Sequence, residues 1–249
     1  MADPPPGDLT VTVLGCSGTY AGADAACSGY LVRSPGTTVV VDLGSGTLAN
    51  LQRHVALADV DAVVLSHEHP DHWLDVPLLR NAMRYMLDLG ELPVYGTAGT
   101  LDLARTLIDE LEPTLLWHTV TDGSAVSIGD LDLRFARTDH PVETLAIRID
   151  HGGRSLLYSA DTGPRWQGGD LGGGVDTLLC EATFTPEDEG RHQHLSARQA
   201  AALAASVAAD HLVLTHVPPG GDADEQRRLA AADHPGPVSV AETGASFAV

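Results

Sequence analysis

The sequence predicts an α+β domain in which helices cover two packed β-sheets. Three observations carry this. Short, apolar, β-branched runs bounded by Gly, Pro, Asp and Ser recur along the chain. Segments with helical spacing and capping signals are interspersed among them. No composition shift or long linker divides the 249 residues, so residues 9–249 are expected to form a single domain. Residues 1–8, with Pro4 to Pro6, are expected to form a frayed, flexible tail.

Residues 9–14 alternate and read as the first strand, broken by Gly15-Cys16-Ser17-Gly18-Thr19. Residues 30–33 and 37–41, joined by Ser34-Pro35-Gly36, read as a hairpin-like edge. Asp42-Leu43-Gly44-Ser45-Gly46 then leads into a helix over 47–55. Such a turn can cradle phosphate, but it matches no phosphate-loop or dinucleotide fingerprint, and a tight turn beside the site of the His67–His72 cluster is favoured. Residues 62–65 form a short buried strand. Apolar spacing predicts a helix over 76–87, with Met83 and Met86 in the core and Tyr85 or Trp73 packing or lining a pocket. A strand over 92–95 and a helix over 101–111, ended before Pro113, come next. Strands are expected over 115–120, 125–128, 131–137, 144–149, 155–159 and 175–180. Helices over 196–208 and 222–232 each open on a capping-box spacing, Ser196 with Gln199 and Asp222 with Glu225. The small residues of the first suggest close packing on a sheet. Strands over 211–215, 238–240 and 246–248 complete the set.

The chemistry concentrates after residues 62–65, in Ser66-His67-Glu68-His69-Pro70-Asp71-His72. Imidazole and carboxylate are ligands for zinc, iron or manganese, and a strand mouth is where a rigid scaffold presents function. His67 and His69, two apart on extended chain, point the same way. Asp71 and His72 follow the change of direction at Pro70 and can face a second ion. His140, Asp161 and His216 each close an apolar run and precede a turn residue.

His67-x-His69-x-Asp71-His72 resembles the first metal motif of the metallo-β-lactamase-fold hydrolases, and His140, Asp161 and His216 match the later motifs in order. The resemblance covers nearly the whole chain. It implies a four-layer αβ/βα sandwich with two divalent ions at one edge between the sheets. His67, His69 and His140 would hold one ion. Asp71, His72 and His216 would hold the other. Asp161 would bridge them, and a shared water or hydroxide would complete the site. Zinc is the expected metal, with manganese or iron tolerated. Glu181-Ala182-Thr183-Phe184 followed by His194-Leu195-Ser196 resembles a motif pair of the ribonuclease Z and phosphodiesterase branch. There the histidine contacts phosphate or protonates the leaving oxygen, and the acid orients it. Asp71, His194 and Glu181 are therefore the candidate catalytic residues. His54, His118, His151, His192, His211 and His234 have no such context and read as surface or structural.

A formal charge of −20, from 14 Lys+Arg against 34 Asp+Glu, opposes binding of a polyanion. The long arm of tRNA-processing members is missing between His140 and Asp161, which are 21 positions apart (161 − 140). A ribonuclease Z-like tRNA 3′ endonuclease is thus disfavoured, and nucleic acid is not the expected partner. The leading expectation is a dinuclear metal phosphodiesterase acting on a small anionic phosphodiester, cyclic nucleotides included. Lactone or thioester hydrolysis, or a metal-binding scaffold without turnover, are the alternatives. Three cysteines, Cys16, Cys27 and Cys180, argue against a disulfide framework and for a cytoplasmic setting. No apolar run approaches 18 residues and no secretory leader is visible. Family members are often dimers, so a homodimer is the oligomer the resemblance suggests.

Overall fold

The structure, a computed structural model, describes residues 9–249; the tail expected over 1–8 lies outside them. The described chain opens with an antiparallel meander of β1 (Thr10–Gly15), β2 (Gly29–Arg33) and β3 (Thr38–Leu43). Strands β4 (Ala62–Val64), β5 (Leu92–Gly96) and β6 (Leu115–Thr119) then add in parallel. A parallel neighbour requires a crossover connection. These crossovers carry α1 (Thr47–Leu51), α2 (Pro70–Trp73), α3 (Val76–Asn81) and α4 (Ala98–Leu107).

The second half repeats the plan. Strands β7 (Ala125–Ile128), β8 (Leu131–Arg137), β9 (Leu145–His151) and β10 (Arg154–Tyr158) pair antiparallel. Strands β11 (Thr177–Glu181), β12 (His211–Thr215) and β13 (Val238–Val240) follow in parallel. The last two crossovers carry α5 (Ala197–Ser206) and α6 (Ala223–Asp233). Finally β14 (Ser246–Ala248) returns to the first sheet and pairs with β1. The sheet orders are β14-β1-β2-β3-β4-β5-β6 and β13-β12-β11-β10-β9-β8-β7.

The period of two along each strand divides its side chains between two apolar layers. Val39 and Val41 of β3 meet Leu133, Phe135 and Ile147 of the second sheet. Val40, between them, faces outward to pack with Leu31, Val63, Trp73 and Leu79 beneath the helices. On the far side, Ala200, Ala201 and Ala204 of α5 sit on Leu178 and Leu212. Methyl side chains let that helix approach its sheet closely, as the alanine-rich sequence suggested. Each fully buried Leu, Val or Phe contributes about 1.5–3 kcal/mol relative to exposure. The result is the four-layer αβ/βα sandwich. No helix of the described residues is long and apolar enough to cross a membrane.

Several local expectations need correction. The β2–β3 hairpin forms, but pairing with β1 and β4 places it inside the sheet rather than at an edge. The first predicted helix is only five residues long. The helix expected over 76–87 stops at Asn81 and continues as a π-helical turn, Ala82–Leu87. Hydrogen bonding to i+5 adds a residue per turn and rotates the face. Met83 stays buried at 3% exposure, but Met86 turns outward at 80%, and Leu78 is exposed as well. Trp73 packs in the core, and exposed Tyr85 accepts a hydrogen bond from Arg80. Helix α4 starts earlier than expected because the Thr97 hydroxyl caps it, accepting from the Thr100 amide. The capping box at Ser196 forms in full. At Asp222 only half does: Asp222 accepts from the Glu225 amide, while the Glu225 carboxylate pairs with Arg228.

Candidate metal centre

Most residues of the site sit where parallel strands end, the edge at which α/β sheets present function. Asp42 lies near the end of β3, His67 follows β4, Asp161 follows β10, Glu181 ends β11 and His216 follows β12. Pro70 takes the first position of α2, which places Asp71 and His72 in its single turn. His140 follows β8. Thr19, Asp42, Ala160 and His216 all adopt positive φ (69°, 56°, 50° and 58°), a backbone region costly outside glycine and concentrated at functional sites. Gly44 serves close approach instead: a Cβ there would lie 2.0 Å from the Asp71 carbonyl oxygen.

Seven side chains converge. His67 Nε2 and His140 Nε2 each lie 3.1 Å from His69 Nδ1. His72 Nε2 and His216 Nε2 are 3.4 Å apart, and His216 Nε2 is 3.3 Å from Asp71 Oδ2. Asp161 stands between the groups. Its Oδ2 faces His67 Nε2 at 3.6 Å and His140 Nε2 at 3.9 Å. Its Oδ1 faces His72 Nε2 at 3.3 Å and His216 Nε2 at 3.4 Å.

The Nδ1 atoms of His67, His72, His140 and His216 are held by a polar frame that includes two carboxylates. Asp42, from the first sheet, accepts from His72 Nδ1 (2.7 Å), Tyr158 OH (2.9 Å) and Ser66 Oγ (2.8 Å). Ser66 Oγ, having donated to Asp42, accepts from His67 Nδ1 at 2.9 Å. Glu181, from the second sheet, accepts from His194 Nδ1 and from Thr183 Oγ1, both at 2.8 Å. Thr183 Oγ1 in turn accepts from His216 Nδ1 at 2.9 Å. His140 Nδ1 donates to the Gln193 carbonyl at 3.2 Å. These acceptors fix the tautomers and leave the Nε2 lone pairs of His67, His72, His140 and His216 pointing inward.

This donor set fits divalent cations. Nitrogens about 2.0–2.1 Å from a tetrahedral ion lie roughly 3.3 Å apart, close to the spacings here. Asp161 Oδ1 is buried and accepts no hydrogen bond. Asp42, Asp71 and Asp161 are buried, and their ion-pair partners at the site are histidines rather than arginine. Burial drives the His67 pKa well below its usual value, keeping the ring neutral. Burial alone would raise that of Asp161, but the imidazoles of His216, His72 and His67 outweigh it and hold the pKa well below the carboxylate range. On His72, burial acts first against charge, yet Asp161 and Asp42 hold its pKa well above normal. The site calls for positive charge there, which a cation at Nε2 would supply. Two groups can each hold an ion: His67, His69, His140 with Asp161, and Asp71, His72, His216.

His194 stands beside both groups, its ring stacked on that of His216 at 5.5 Å and 18° and edge-on to that of His140 at 5.2 Å and 65°. It falls within ligand range of Asp161 and His216. The site opens into a cavity of about 750 Å³ whose walls include Thr19, Pro141, Arg165, Phe184, His192 and His194.

A family model described as the β-lactamase superfamily domain matches residues 37–217. The chain belongs to the β-lactamase superfamily. An uncharacterised protein of Mycobacterium tuberculosis is 38% identical over 253 residues, covering 97% of this chain and 92% of the relative. The crystal structure of the metallo-β-lactamase fold protein YhfI from Bacillus subtilis superposes with a TM-score of 0.90 at 30% identity, covering 96% of this chain and 99% of that one. A ribonuclease Z of Mycobacterium bovis is 29% identical over 266 residues, covering 93% of this chain and 95% of the relative. With its two metal-binding clusters, this superfamily member is a metal-dependent hydrolase.

All the predicted site residues, His67, His69, Asp71, His72, His140, Asp161, His216, Glu181 and His194, lie at this one edge. Asp42 and Thr183 have a larger part than the sequence indicated, where Asp42 read as part of a tight turn beside the metal site and Thr183 carried no role. Of the histidines set aside, His192 lines the cavity mouth and His234 is buried. Asp42→Asn should weaken metal affinity about 10–100-fold, read by competition with a chromogenic chelator. Unchanged affinity would show that His72 needs no carboxylate behind it.

Proposed function

We propose that the protein is a dinuclear metal phosphodiesterase that cleaves small phosphodiesters, cyclic nucleotides among them. The observation carrying this is the His194–Glu181 pair beside the two clusters. A thioester, which leaves as a thiolate, has no need of a fixed cationic imidazole, whereas a departing alkoxide does. Burial alone would lower the His194 pKa; the charge and hydrogen bond of Glu181 raise it to about 9. With Nδ1 committed to Glu181, Nε2 is the atom that donates to the leaving oxygen.

His67, His69 and His140 would hold one divalent ion, Asp71, His72 and His216 the other, and Asp161 both. Zinc is the favoured metal, manganese and iron the runners-up. Bound there, the ions supply Lewis-acid polarisation of the phosphoryl group and a nucleophile at neutral pH. The Thr19 amide donates to Asp71 Oδ2 at 2.7 Å and fixes that carboxylate for its part in the site. Because the site draws on both sheets, residues 9–249 act in this reading as one domain. A net charge of −20 favours a small anion over RNA, and a cytoplasmic setting suits such a substrate.

The decisive experiment is elemental analysis of purified protein followed by turnover of a chromogenic phosphodiester, cyclic AMP, an acyl lactone and a thioester. Two ions with phosphodiester cleavage is the expected result; cleavage of the lactone or thioester alone would replace this reading. The oligomer fits the same picture. Among the described residues, five of the eight large exposed apolar side chains, Leu74, Leu78, Tyr85, Met86 and Leu87, fall in one stretch around α3. Such clustering marks a contact surface, and we assign it to a second copy of the chain. Light scattering should give a dimer that Met86→Glu dissociates; a monomeric wild type would remove the assignment.

A further inference from the structure

We propose that Phe184 and His192 form a nucleobase platform at the cavity mouth, so that the ligand is a mononucleotide rather than a phosphodiester without a ring. This deepens the phosphodiesterase reading and rests on it for the placement of the phosphate end.

Rings step outward from the metal clusters. His194 stacks on His216, Phe184 stands edge-on to His194 at 5.6 Å and 82°, and His192 lies 6.3 Å beyond Phe184 at 41°. Phe184 is only half-buried and belongs to none of the three apolar layers described above. A large apolar ring kept at a cavity wall without core packing is placed for a ligand rather than for stability. Its backbone is fixed: the Phe184 amide donates to the Leu195 carbonyl at 2.9 Å, and its carbonyl accepts from Gln226 Nε2 at 3.2 Å. His192 is exposed on the adjoining loop and can adjust to whatever lies against Phe184.

Both arginines of the wall are already paired, Arg165 with Asp139 and Arg191 with Asp188 at 2.6 Å. Phe184 and His192 add aromatic surface to that wall. Nucleobases stack on aromatic faces largely irrespective of sequence, worth about 1–3 kcal/mol per base. A cavity of about 750 Å³ is the size of a small-molecule site, and the −20 charge opposes a longer polyanion.

Binding, not turnover, tests this. Calorimetry on the metal-replete protein compares adenosine 5′-monophosphate with ribose 5-phosphate, which share the phosphate and sugar and differ in the base. Wild type should prefer the nucleotide about 5- to 150-fold. His192→Ala should reduce that preference, and Phe184→Leu with His192→Ala should bring it to within about twofold, while ribose 5-phosphate affinity stays at the wild-type value. Equal wild-type affinities, no binding of either ligand, or a preference that survives both substitutions would overturn the platform. A protein that prefers the nucleotide but cleaves no phosphodiester keeps the platform and loses the proposed reaction.

Discussion

Asp161→Asn is expected to take the protein from two bound ions to one and to lower turnover by about 10³-fold or more. The carboxylate presents one oxygen to each cluster, Oδ2 toward His67 and His140 and Oδ1 toward His72 and His216. An amide of the same shape can offer its oxygen to only one side and turns an N–H₂ group on the other. Lewis-acid stabilisation is worth several kcal/mol, and each 1.36 kcal/mol is tenfold in rate. Elemental analysis and steady-state kinetics read both effects. A variant that kept two ions and full turnover would show that the clusters bind independently of Asp161.

His194→Ala should lower kcat on a phosphodiester by about 10²–10⁴-fold with metal content unchanged. The retained metal separates proton donation from ligation, since His194 also lies within ligand range of Asp161 and His216. Loss of an ion on substitution would assign it to the metal site instead. The pH dependence has a defined sign. Glu181 raises the His194 pKa to about 9 against the opposing effect of burial, so the donor is present below that pKa and lost as pH rises through it. Bound cations act against Glu181 and move the fall downward. Glu181→Gln removes the carboxylate and should move it further in the same direction. An alkaline limb at the same pH in both proteins would mean that another group donates.

Several ligand residues were legible because they close an apolar run and precede a change of direction, and His69, Asp71 and His72 because they crowd into the same short loop as His67. His67, His140, Asp161 and His216 announce themselves in the first way, and the family resemblance orders them. Asp42 was not legible as an organiser. Its partners Ser66, His72 and Tyr158 are 24, 30 and 116 positions away, and no local spacing encodes such a meeting. Thr183 was hidden because threonine beside a glutamate has many bland explanations. Its link from Glu181 to His216 exists only after β11 and β12 pair. The π turn at Ala82–Leu87 escaped for a different reason. Leu78, Leu79, Ala82, Met83 and Met86 satisfy a helical repeat equally well before a single inserted residue rotates the face. The interior position of the β2–β3 hairpin depends on β1 and β4, which a hairpin's own residues do not specify.

The return of β14 to β1 sets the timing of assembly. Thr10 pairs with Ala248 and Val11 with Phe247, so the outer rim of the earliest strand finds its neighbour only after both halves have been synthesised. A nascent chain therefore carries an open strand edge through most of translation, the kind of surface that recruits chaperones or mispairs with another chain. Closing that seam across nearly the full contour couples the two halves and makes late folding a long-range event.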